Sequence, residues 1–258
     1  MNGARFNVIG VAISATNLPE AVQTILSWKQ TGERHSVSTC TAHTLVECRR
    51  DAGLRHRINR AGLATPDGMP LVWLAHRRGL HDVSRVYGPD LLLAVCEVGL
   101  ESRLRHFFYG GAPGVPERLV ARLRSRFPEL QVVGTFSPPY RDLTAEEDAA
   151  MVEQINAAAP DIVWVGLGTP KQDLWTADHR AKLNASALIG VGAAFDFYSG
   201  RVRQAPRWLQ RSGLEWLFRL SQEPRRLWRR YLLDNLVFIY HVGLQSLGVH
   251  SYPIETGR

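Results

Sequence analysis

Residues 162–172 read Ile-Val-Trp-Val-Gly-Leu-Gly-Thr-Pro-Lys-Gln, an apolar run of strand length that ends in a glycine-rich turn. Short apolar runs of this kind recur along the chain up to Gly200. The predicted strands are Asn7–Ile13, Ser36–Thr39, Gly62–Thr65, His106–Tyr109, Gln131–Phe136, Ile162–Gly166 and Ala187–Val191. Helical patterns separate these runs. The alternation favours a Rossmann-like α/β fold, in which helices sandwich a mainly parallel sheet.

Helix-start signals lie between the predicted strands. Asn17 precedes Leu18-Pro19, Pro116 precedes the helical pattern Glu117–Phe127, and residues 144–147 have the form of a capping box before Asp148–Ala158. The chain has 258 residues, of which 45% are hydrophobic, so it is long enough to bury a full core. Its three cysteines include no Cys-x-x-Cys pair, which indicates reduced thiols rather than disulfides or a thiolate zinc site.

Positive charge is concentrated in the C-terminal part of the chain. Nine arginines and two glutamates lie between Arg201 and Arg230, an excess of seven that equals the net charge of +7 for the whole chain. We therefore predict an α/β catalytic domain over residues 1–203 and a helical C-terminal appendage, rich in Arg and Trp, over residues 204–258. The arginines suit phosphate groups, although a solvated helix face has the same composition.

The last predicted helix begins near Arg225 and is amphipathic. Its apolar stretch Tyr231–Leu244 contains polar residues and is shorter than the roughly 20 residues of a membrane span. Arginines beside aromatic and aliphatic residues favour a helix that lies on a membrane surface or over the active site. A core helix and a subunit interface are the alternatives. Residues 1–14 lack the form of a secretory signal, which favours a location on the cytoplasmic side.

Three glycine-rich turns follow predicted strands, at residues 109–114, 166–172 and 190–196. Right-handed crossovers place the carboxyl ends of parallel strands at one edge of a sheet, so these turns are predicted to offer backbone amides to a phosphate. Each turn alone is equally typical of a tight turn without a ligand. The chain has neither a Walker lysine loop nor a dinucleotide fingerprint, so we expect the phosphate on a substrate rather than on a redox cofactor.

Asp67 follows the predicted strand Gly62–Thr65 in an Asp-Gly turn. A carboxylate at the end of a strand faces the crevice where open α/β sheets bind ligands, and there it can accept a proton from a nucleophile. The alternative is an ordinary turn residue. Asp67 is the first candidate for a catalytic residue.

Polar side chains also follow the second predicted strand. The hydroxyl groups of Thr39 and Thr41 can bind a phosphate or sugar oxygen. His43 can carry a proton, but a hydrogen-bonded structural role is commoner for a single histidine. Further along, Arg85 can hold a diphosphate through two hydrogen bonds, or it can pair with Asp90.

Taken together, these motifs resemble the bacterial WecG/TagA/CpsF glycosyltransferase family, over roughly residues 7 to 230. Each motif is weak alone, but their combination and order are specific. The matching positions are Thr39, Asp67-Gly68, Arg85-Val86-x-Gly88-x-Asp90, Gly166-x-Gly168-x-Pro170-Lys171-Gln172, Gly190-Val191-Gly192 with Phe195-Asp196, Ala205-Pro206-x-Trp208, Leu214-Glu215-Trp216 and Arg219-Leu220.

The resemblance implies an inverting transfer of a sugar from a UDP-sugar to a polyprenyl-diphosphate-linked saccharide, in cell-surface or exopolysaccharide synthesis, without a metal or other cofactor. It makes Asp67 the general base, places Thr39 beside it as a second catalytic residue, and lets Arg85 and Gln172 line the same pocket. It also implies that arginines of the appendage offset diphosphate charge and that the appendage engages the membrane. The predicted substrate-binding residues are Thr41, Arg85, Gly110, Gly111, Gly168, Lys171, Gln172, Asp196, Arg219, Arg225, Arg226 and Arg229.

Two departures from the family pattern leave the donor sugar open between glucose, N-acetylmannosamine and others. Thr41 stands where the family often has Asn, and Asp173 stands where it often has Glu. We expect a peripheral protein on the cytoplasmic face of the bacterial inner membrane, with no nucleic acid as a partner. Homo-oligomer formation is left open. The rival of another class is a nucleic-acid-binding protein that uses the basic, aromatic C-terminal segment.

Overall fold

A computed structural model describes residues 3–254 and confirms the α/β fold class. The strands are β1 (Arg5–Val8), β2 (Val11–Ser14), β3 (His35–Cys40), β4 (Leu63–Pro66), β5 (Arg105–Gly110), β6 (Gln131–Phe136), β7 (Ile162–Gly166) and β8 (Ala187–Gly190). Strands β3 to β8 form one six-stranded sheet in the order β4-β3-β8-β7-β5-β6, while β1 and β2 form a separate two-stranded sheet. The pairs β3–β8, β7–β8, β5–β7 and β5–β6 are parallel.

Helices connect the strands and form the whole of the C-terminal part. They are α1 (Leu18–Thr31), α2 (Ala42–Arg50), α3 (Ala52–Asn59), α4 (Met69–His76), α5 (Gly88–Val98), α6 (Val115–Arg126), α7 (Ala145–Ala157), α8 (Lys171–His179), α9 (Ala194–Ser199), α10 (Arg207–Arg211), α11 (Glu215–Gln222), α12 (Pro224–Trp228) and α13 (Asp234–Ser246). A π-helical segment, Arg229–Leu233, joins α12 to α13.

The chain divides into two compact units. The first unit contains the residues up to Asn17, the segment Thr39–Tyr87 and the residues from Gln204 onward. The second unit contains Leu18–Ser38 and Gly88–Arg203. The C-terminal segment from Gln204 therefore shares a unit with the turn that carries Asp67.

The hydrophobic core of the second unit follows from the apolar strand sequences. Val163 and Val165 of β7 pack in one cluster with residues of β5, β8 and α7, while Ile162 and Trp164, which point the other way, are also fully buried. A parallel strand covered on both faces reads as a continuous apolar run rather than an alternating one. The predicted bounds of β6 and β7 match the structure, those of β3, β4 and β5 differ by one residue at each end, and that of β8 differs by one residue at its C-terminal end.

The prediction of one strand over Asn7–Ile13 is wrong, because two strands form an antiparallel hairpin there. Ile9 and Gly10 occupy the turn, with φ values of 44° and 89°. Positive φ at both central residues is the geometry of the tight turns that match strand twist. The side chain of Asn7 closes the turn by accepting from the Gly10 amide at 2.9 Å. A β-branched residue such as Ile9 rarely adopts this conformation, so the sequence contained no turn signal.

Helices α1, α6 and α7 begin at the predicted helix-start signals. Thr144 caps α7 in a reciprocal capping box with Glu147, as its spacing predicts. The helix expected near Arg225 begins at Pro224 and continues through the π-helical segment into α13. The three cysteines are buried, and none of them forms a disulfide within residues 3–254. Tyr252 is also buried although Leu247–Arg258 has the composition of a fraying end, and residues 255–258 lie outside the described chain.

Candidate active site

Asp67 lies in the first unit, in the turn between β4 and α4, and is only 8% exposed. Its backbone amide and that of Gly68 both donate to the carbonyl of Cys40, at 2.9 and 3.2 Å. Helix α4 begins directly afterwards, with Gly68 as its N-cap and a proline in its first turn. The turn is thereby attached to the end of β3, and the carboxylate of Asp67 is held in a defined place.

The side chain of Arg85 binds both the backbone and the side chain of Asp67. Its Nε donates to the carbonyl oxygen of Asp67, and one terminal nitrogen lies 3.3 Å from Asp67 Oδ1. The same nitrogen donates to Glu215 Oε2 at 2.8 Å, and the other terminal nitrogen donates to the carbonyl of Gln210 at 3.3 Å. Burial opposes the charge of Arg85, but the two carboxylates outweigh it and raise its pKa. The alternative pairing of Arg85 with Asp90 is not the one the structure adopts for this guanidinium.

Tyr87 and Glu215 complete what we call the Asp67 cluster, made of Asp67, Arg85, Tyr87 and Glu215. The Tyr87 hydroxyl donates to Glu215 Oε1 at 2.6 Å, and the Arg85 guanidinium lies 4.0 Å from the centre of the Tyr87 ring. Burial, followed by the charge of Glu215, raises the pKa of Tyr87 well above its ordinary value, so the hydroxyl stays protonated. No role was predicted for Tyr87 or Glu215, although Glu215 lies in a motif that matches the family.

Arginines of the C-terminal segment fall into two groups. Arg219 and Arg230 are partly buried. The charge of Glu215 acts on Arg219, and that of Asp67 acts on Arg230. Burial lowers the pKa of Arg230, Tyr231 opposes this effect, and the charge of Arg219 adds to it. The buried Nε of Arg230 has no hydrogen-bond partner among the described residues. Two positive groups therefore accompany the Asp67 cluster.

The other predicted arginines face solvent. Arg225, Arg226 and Arg229 are exposed, Arg226 pairs with Glu223, and Arg229 lies over the Trp228 ring at 5.3 Å. Arg230 was absent from the predicted site residues. Nothing in a run of adjacent arginines indicates which of them faces inward, because that depends on the helix register through the π-helical segment.

The two threonines of the predicted site also belong to the first unit. Thr39 is a buried residue of β3, with 5% exposure. Thr41 is the N-cap of α2, and its hydroxyl accepts from the Thr44 amide at 3.3 Å in a capping box. This contact uses the hydroxyl of Thr41 for the start of the helix.

His43 takes part in an ionic network around the buried carboxylate of Asp234. Its Nδ1 lies 2.6 Å from Asp234 Oδ2, and Arg50 donates to Asp234 Oδ1 at 2.6 Å and to Glu47. Burial and the charge of Arg230 lower the pKa of His43, while Asp234 opposes them. Ligand atoms of His43, Glu47 and Asp234 lie within 4.8 Å of one another, a spacing open to a metal ion. Arg50 already supplies the positive charge for both carboxylates, so the network ties α13 to α2.

In the second unit, Gln172 joins two of the glycine-rich turns. It is 1% exposed, and its Oε1 accepts from the Gly192 amide at 2.9 Å and from the Gly168 amide at 3.2 Å. Helix α8 begins at Lys171, which directs this side chain back across the ends of β7 and β8. Gln172 thus sets the shape of both turns.

Close packing explains several of the glycines. A Cβ on Gly110 would lie 2.7 Å from the Gly166 backbone, and one on Gly166 would lie 2.5 Å from the Phe195 ring. A Cβ on Gly111 would lie 2.9 Å from Val115. Gly168, with φ of +76°, has open space around the Cβ position. Among the predicted turn glycines, it is Gly168 that leaves room for a ligand.

Lys171 and Asp196, the remaining predicted residues, also lie in the second unit. Lys171 is exposed, with its Nζ 5.7 Å from the centre of the Tyr140 ring. Asp196 forms an ion pair with Arg201, at 3.5 Å. The predicted site residues are therefore divided between the units. Asp67 and Arg85 contact each other in the first, and Gly168 and Gln172 do so in the second.

Comparison with known proteins gives independent evidence of the family to which the chain belongs. A model of the glycosyl transferase WecG/TagA/CpsF family matches residues 6–251. A relative from Bacillus spizizenii, named N-acetylglucosaminyldiphosphoundecaprenol N-acetyl-beta-D-mannosaminyltransferase, is 32% identical over 68% of this chain and 66% of its own length, just under two thirds. A relative of the same name from Bacillus subtilis strain 168 is 29% identical over 76% of this chain and 74% of its own length.

Proposed function

The chain belongs to the WecG/TagA/CpsF family of glycosyltransferases, and we propose that it transfers a sugar from a UDP-sugar to a saccharide carried on a polyprenyl diphosphate. It is thus an enzyme that moves glycosyl groups. The observation that carries the specific proposal is the Asp67 cluster, in which a buried carboxylate is held by Arg85.

Asp67 acts as the general base in this proposal. It takes the proton of the acceptor hydroxyl while the oxygen attacks the anomeric carbon and the bond from that carbon to the UDP oxygen breaks. UDP leaves with the bonding electron pair, and one displacement inverts the anomeric carbon. A buried carboxylate supports this role because its orientation is set before the acceptor arrives.

The diphosphate charge is offset by arginines of the C-terminal segment. Arg219 and Arg230 are the best placed of these, since both are partly buried and act electrostatically on the Asp67 cluster. The unpartnered Nε of Arg230 is a buried donor, and a buried donor without a partner carries a free-energy cost that an anionic ligand would remove. Arginine is suited to phosphate because its planar group donates two parallel hydrogen bonds.

In this proposal the turns after β7 and β8 bind the UDP part through amides other than those of Gly168 and Gly192, which already donate to Gln172. Gln172 holds the turns after β7 and β8 in one arrangement, and Gly168 leaves open space beside its backbone. Backbone N–H groups in such turns bind phosphate oxygens without a metal ion. In this proposal Gln172 is a positioning residue for the turns.

The acceptor class is proposed from the relatives. Their names specify an N-acetylglucosaminyldiphosphoundecaprenol acceptor and transfer of N-acetylmannosamine. We propose the same class of acceptor here and leave the donor sugar to experiment. Thr41 is committed to capping α2, and Asp173 is buried at the start of α8, so both departures from the family pattern lie beside candidate binding elements.

We propose that the exposed face of the C-terminal helices lies on the membrane. Trp228, Leu232, Leu236 and Ile239 recur at helical spacing, and each is more than 40% exposed. Arg225 and Arg229 stand beside this stripe and suit anionic headgroups. In residues 3–254, no helix is both long enough and apolar enough to cross a bilayer. The orientation towards the cytoplasmic face is part of the proposal.

The inward orientation of two arginines also bears on the rival function. A nucleic-acid binder needs its cations on an accessible face, where they neutralise phosphates along a strand. Arg219 and Arg230 are instead partly buried beside carboxylates. The glycosyltransferase proposal accounts for this arrangement, and nucleic-acid binding does not.

A screen of UDP-sugars tests the proposal. The full chain is mixed with each nucleotide sugar and with a polyprenyl-diphosphate-linked N-acetylglucosamine, and transfer is followed by the release of UDP. We expect one donor to support acceptor-dependent release and to raise the melting temperature. Failure of every UDP-sugar to bind and to react would overturn the proposal.

A further inference from the structure

Glu215 is a buried acidic residue of the C-terminal segment, at the first position of α11 and 8% exposed. Its two oxygens have separate partners, since Oε2 accepts from Arg85 at 2.8 Å and Oε1 accepts from the Tyr87 hydroxyl at 2.6 Å. A buried carboxylate is costly unless its oxygens are bonded. These contacts therefore hold Glu215 in one orientation, facing the guanidinium that also contacts Asp67.

The contacts of Arg85 leave it poorly suited to hold a phosphate. Nε and both terminal nitrogens already donate, to the Asp67 turn, to the Gln210 carbonyl and to Glu215. A bidentate phosphate contact needs two parallel N–H groups on one edge of the guanidinium. Arg85 is instead a link between the turn of the proposed base and helices α10 and α11.

The charge of Arg85 is shared unequally between two carboxylates. The nitrogen that serves both lies 2.8 Å from Glu215 and 3.3 Å from Asp67. A cation that paired with Asp67 alone would stabilise its ionised form and weaken it as a base. Glu215 opposes this effect in two ways, because it draws the guanidinium towards itself and adds a second negative charge beside Asp67.

We propose that Glu215 is a positioning residue that keeps Asp67 basic by sharing Arg85 with it. The inference rests on the proposed function, since it concerns the base of that reaction. Glu215 and Gln210 both belong to the C-terminal segment, whereas Asp67 and Arg85 belong to the segment Thr39–Tyr87. Docking of the C-terminal segment and the strength of the base are then consequences of one set of contacts.

The test compares Glu215→Gln with the wild-type enzyme in the pH dependence of kcat/KM. The amide keeps the shape of the side chain but removes its charge, so Arg85 pairs with Asp67 alone. We expect the acid limb of the profile to move down by about one pH unit, which is the smaller end of the effect of a neighbouring cation on a carboxylate. We also expect kcat on the plateau to fall by about tenfold, because a weaker base transfers the proton less readily.

Glu223→Gln is the matched control, because it removes one negative charge from the same segment at a residue that pairs with Arg226 instead. Its acid limb should coincide with that of the wild type. An unmoved limb in folded Glu215→Gln enzyme, as judged by its melting temperature, would falsify the proposal. If Glu215→Gln does not fold, Glu215→Asp replaces it. The shorter carboxylate should shift the limb part of the way down, and an unmoved limb there also overturns the proposal.

Asp67→Asn tests the proposed function separately from the role of Glu215. Activity in the wild-type enzyme and its loss in Asp67→Asn support the proposed function, whatever Glu215→Gln shows. Loss of the proposed function would appear as absence of donor-dependent turnover in the wild type itself. In that case the proposed role of Glu215 is rejected together with the proposed function.

Discussion

The two units hold their candidate residues in different ways. In the second unit, Gln172 bonds to Gly168, four residues earlier, and to Gly192, twenty residues later. In the first unit, Arg85 bonds to Asp67 across 18 residues and to Glu215 across 130. In the second unit a neutral side chain fixes the backbone of two turns. In the first unit charged side chains from distant segments of the chain pair with one another. Substitutions should therefore act on shape in the second unit and on chemistry in the first.

Replacement of Asp67 by Asn should have the largest effect. The amide cannot take the proton from the hydroxyl group of the acceptor substrate. We therefore expect kcat to fall by about a thousandfold, within the usual range for loss of a general base. UDP binding, measured by calorimetry, should stay close to that of the wild type. Turnover near the wild-type level would show that another group is the base.

In the second unit, Gly166→Ala should destabilise the fold. The new Cβ would lie 2.5 Å from the Phe195 ring, inside a packed region, and overpacking of this kind costs about 3 kcal/mol. Urea unfolding measures the loss. Gly168→Ala is the matched control, because it has open space and a cost of about 1 kcal/mol from its positive φ alone. Equal losses in the two variants would mean that packing against Phe195 is unimportant.

Buried His106 makes the second unit sensitive to acid. Burial lowers the pKa of His106 from 6.5 to about 4, and Trp164 donates to its Nδ1 at 3.1 Å. Between these values the unfolded chain binds the proton and the folded chain does not, so stability is present above pH 6.5 and is lost as the pH falls. The expected loss between pH 7.5 and 5 is about 2 kcal/mol.

Unfolding in urea at these two pH values measures the His106 effect, with His106→Gln as the reference. The wild type should lose more stability than this variant, which has no proton to gain at residue 106. The same loss in both proteins would place the acid sensitivity elsewhere.

The inward-facing Arg230 should matter more than an outward-facing arginine of the same segment. Arg230→Ala removes a partly buried cation near Asp67, and we expect kcat/KM to fall by about tenfold, equivalent to about 1.4 kcal/mol. Arg211→Ala removes an exposed cation and should change kcat/KM by less than about twofold. Assays with a detergent-dispersed acceptor separate this effect from membrane binding. Equal losses in both variants would point to overall charge instead of position.

Much of the second unit was predictable because its information is local. The apolar run that predicted β7 is buried on both sides, and the Thr144 signal formed the expected capping box. The turns after β5, β7 and β8 were located correctly. Their packing was not foreseen, since the demand for glycine at Gly166 comes from Phe195, which is distant in sequence.

The sequence by itself determined the α/β class and the family and predicted a catalytic role for the Asp67 turn, because periodicity, turn residues and motif spacing are properties of short segments. Only the tertiary structure decided that Arg85 is divided between Asp67 and Glu215, that Tyr87 and Arg230 accompany them, and that Asp234 binds both His43 and Arg50. The physical reason is that the pairing of buried charges depends on distances between segments, and those distances exist only once the chain has folded.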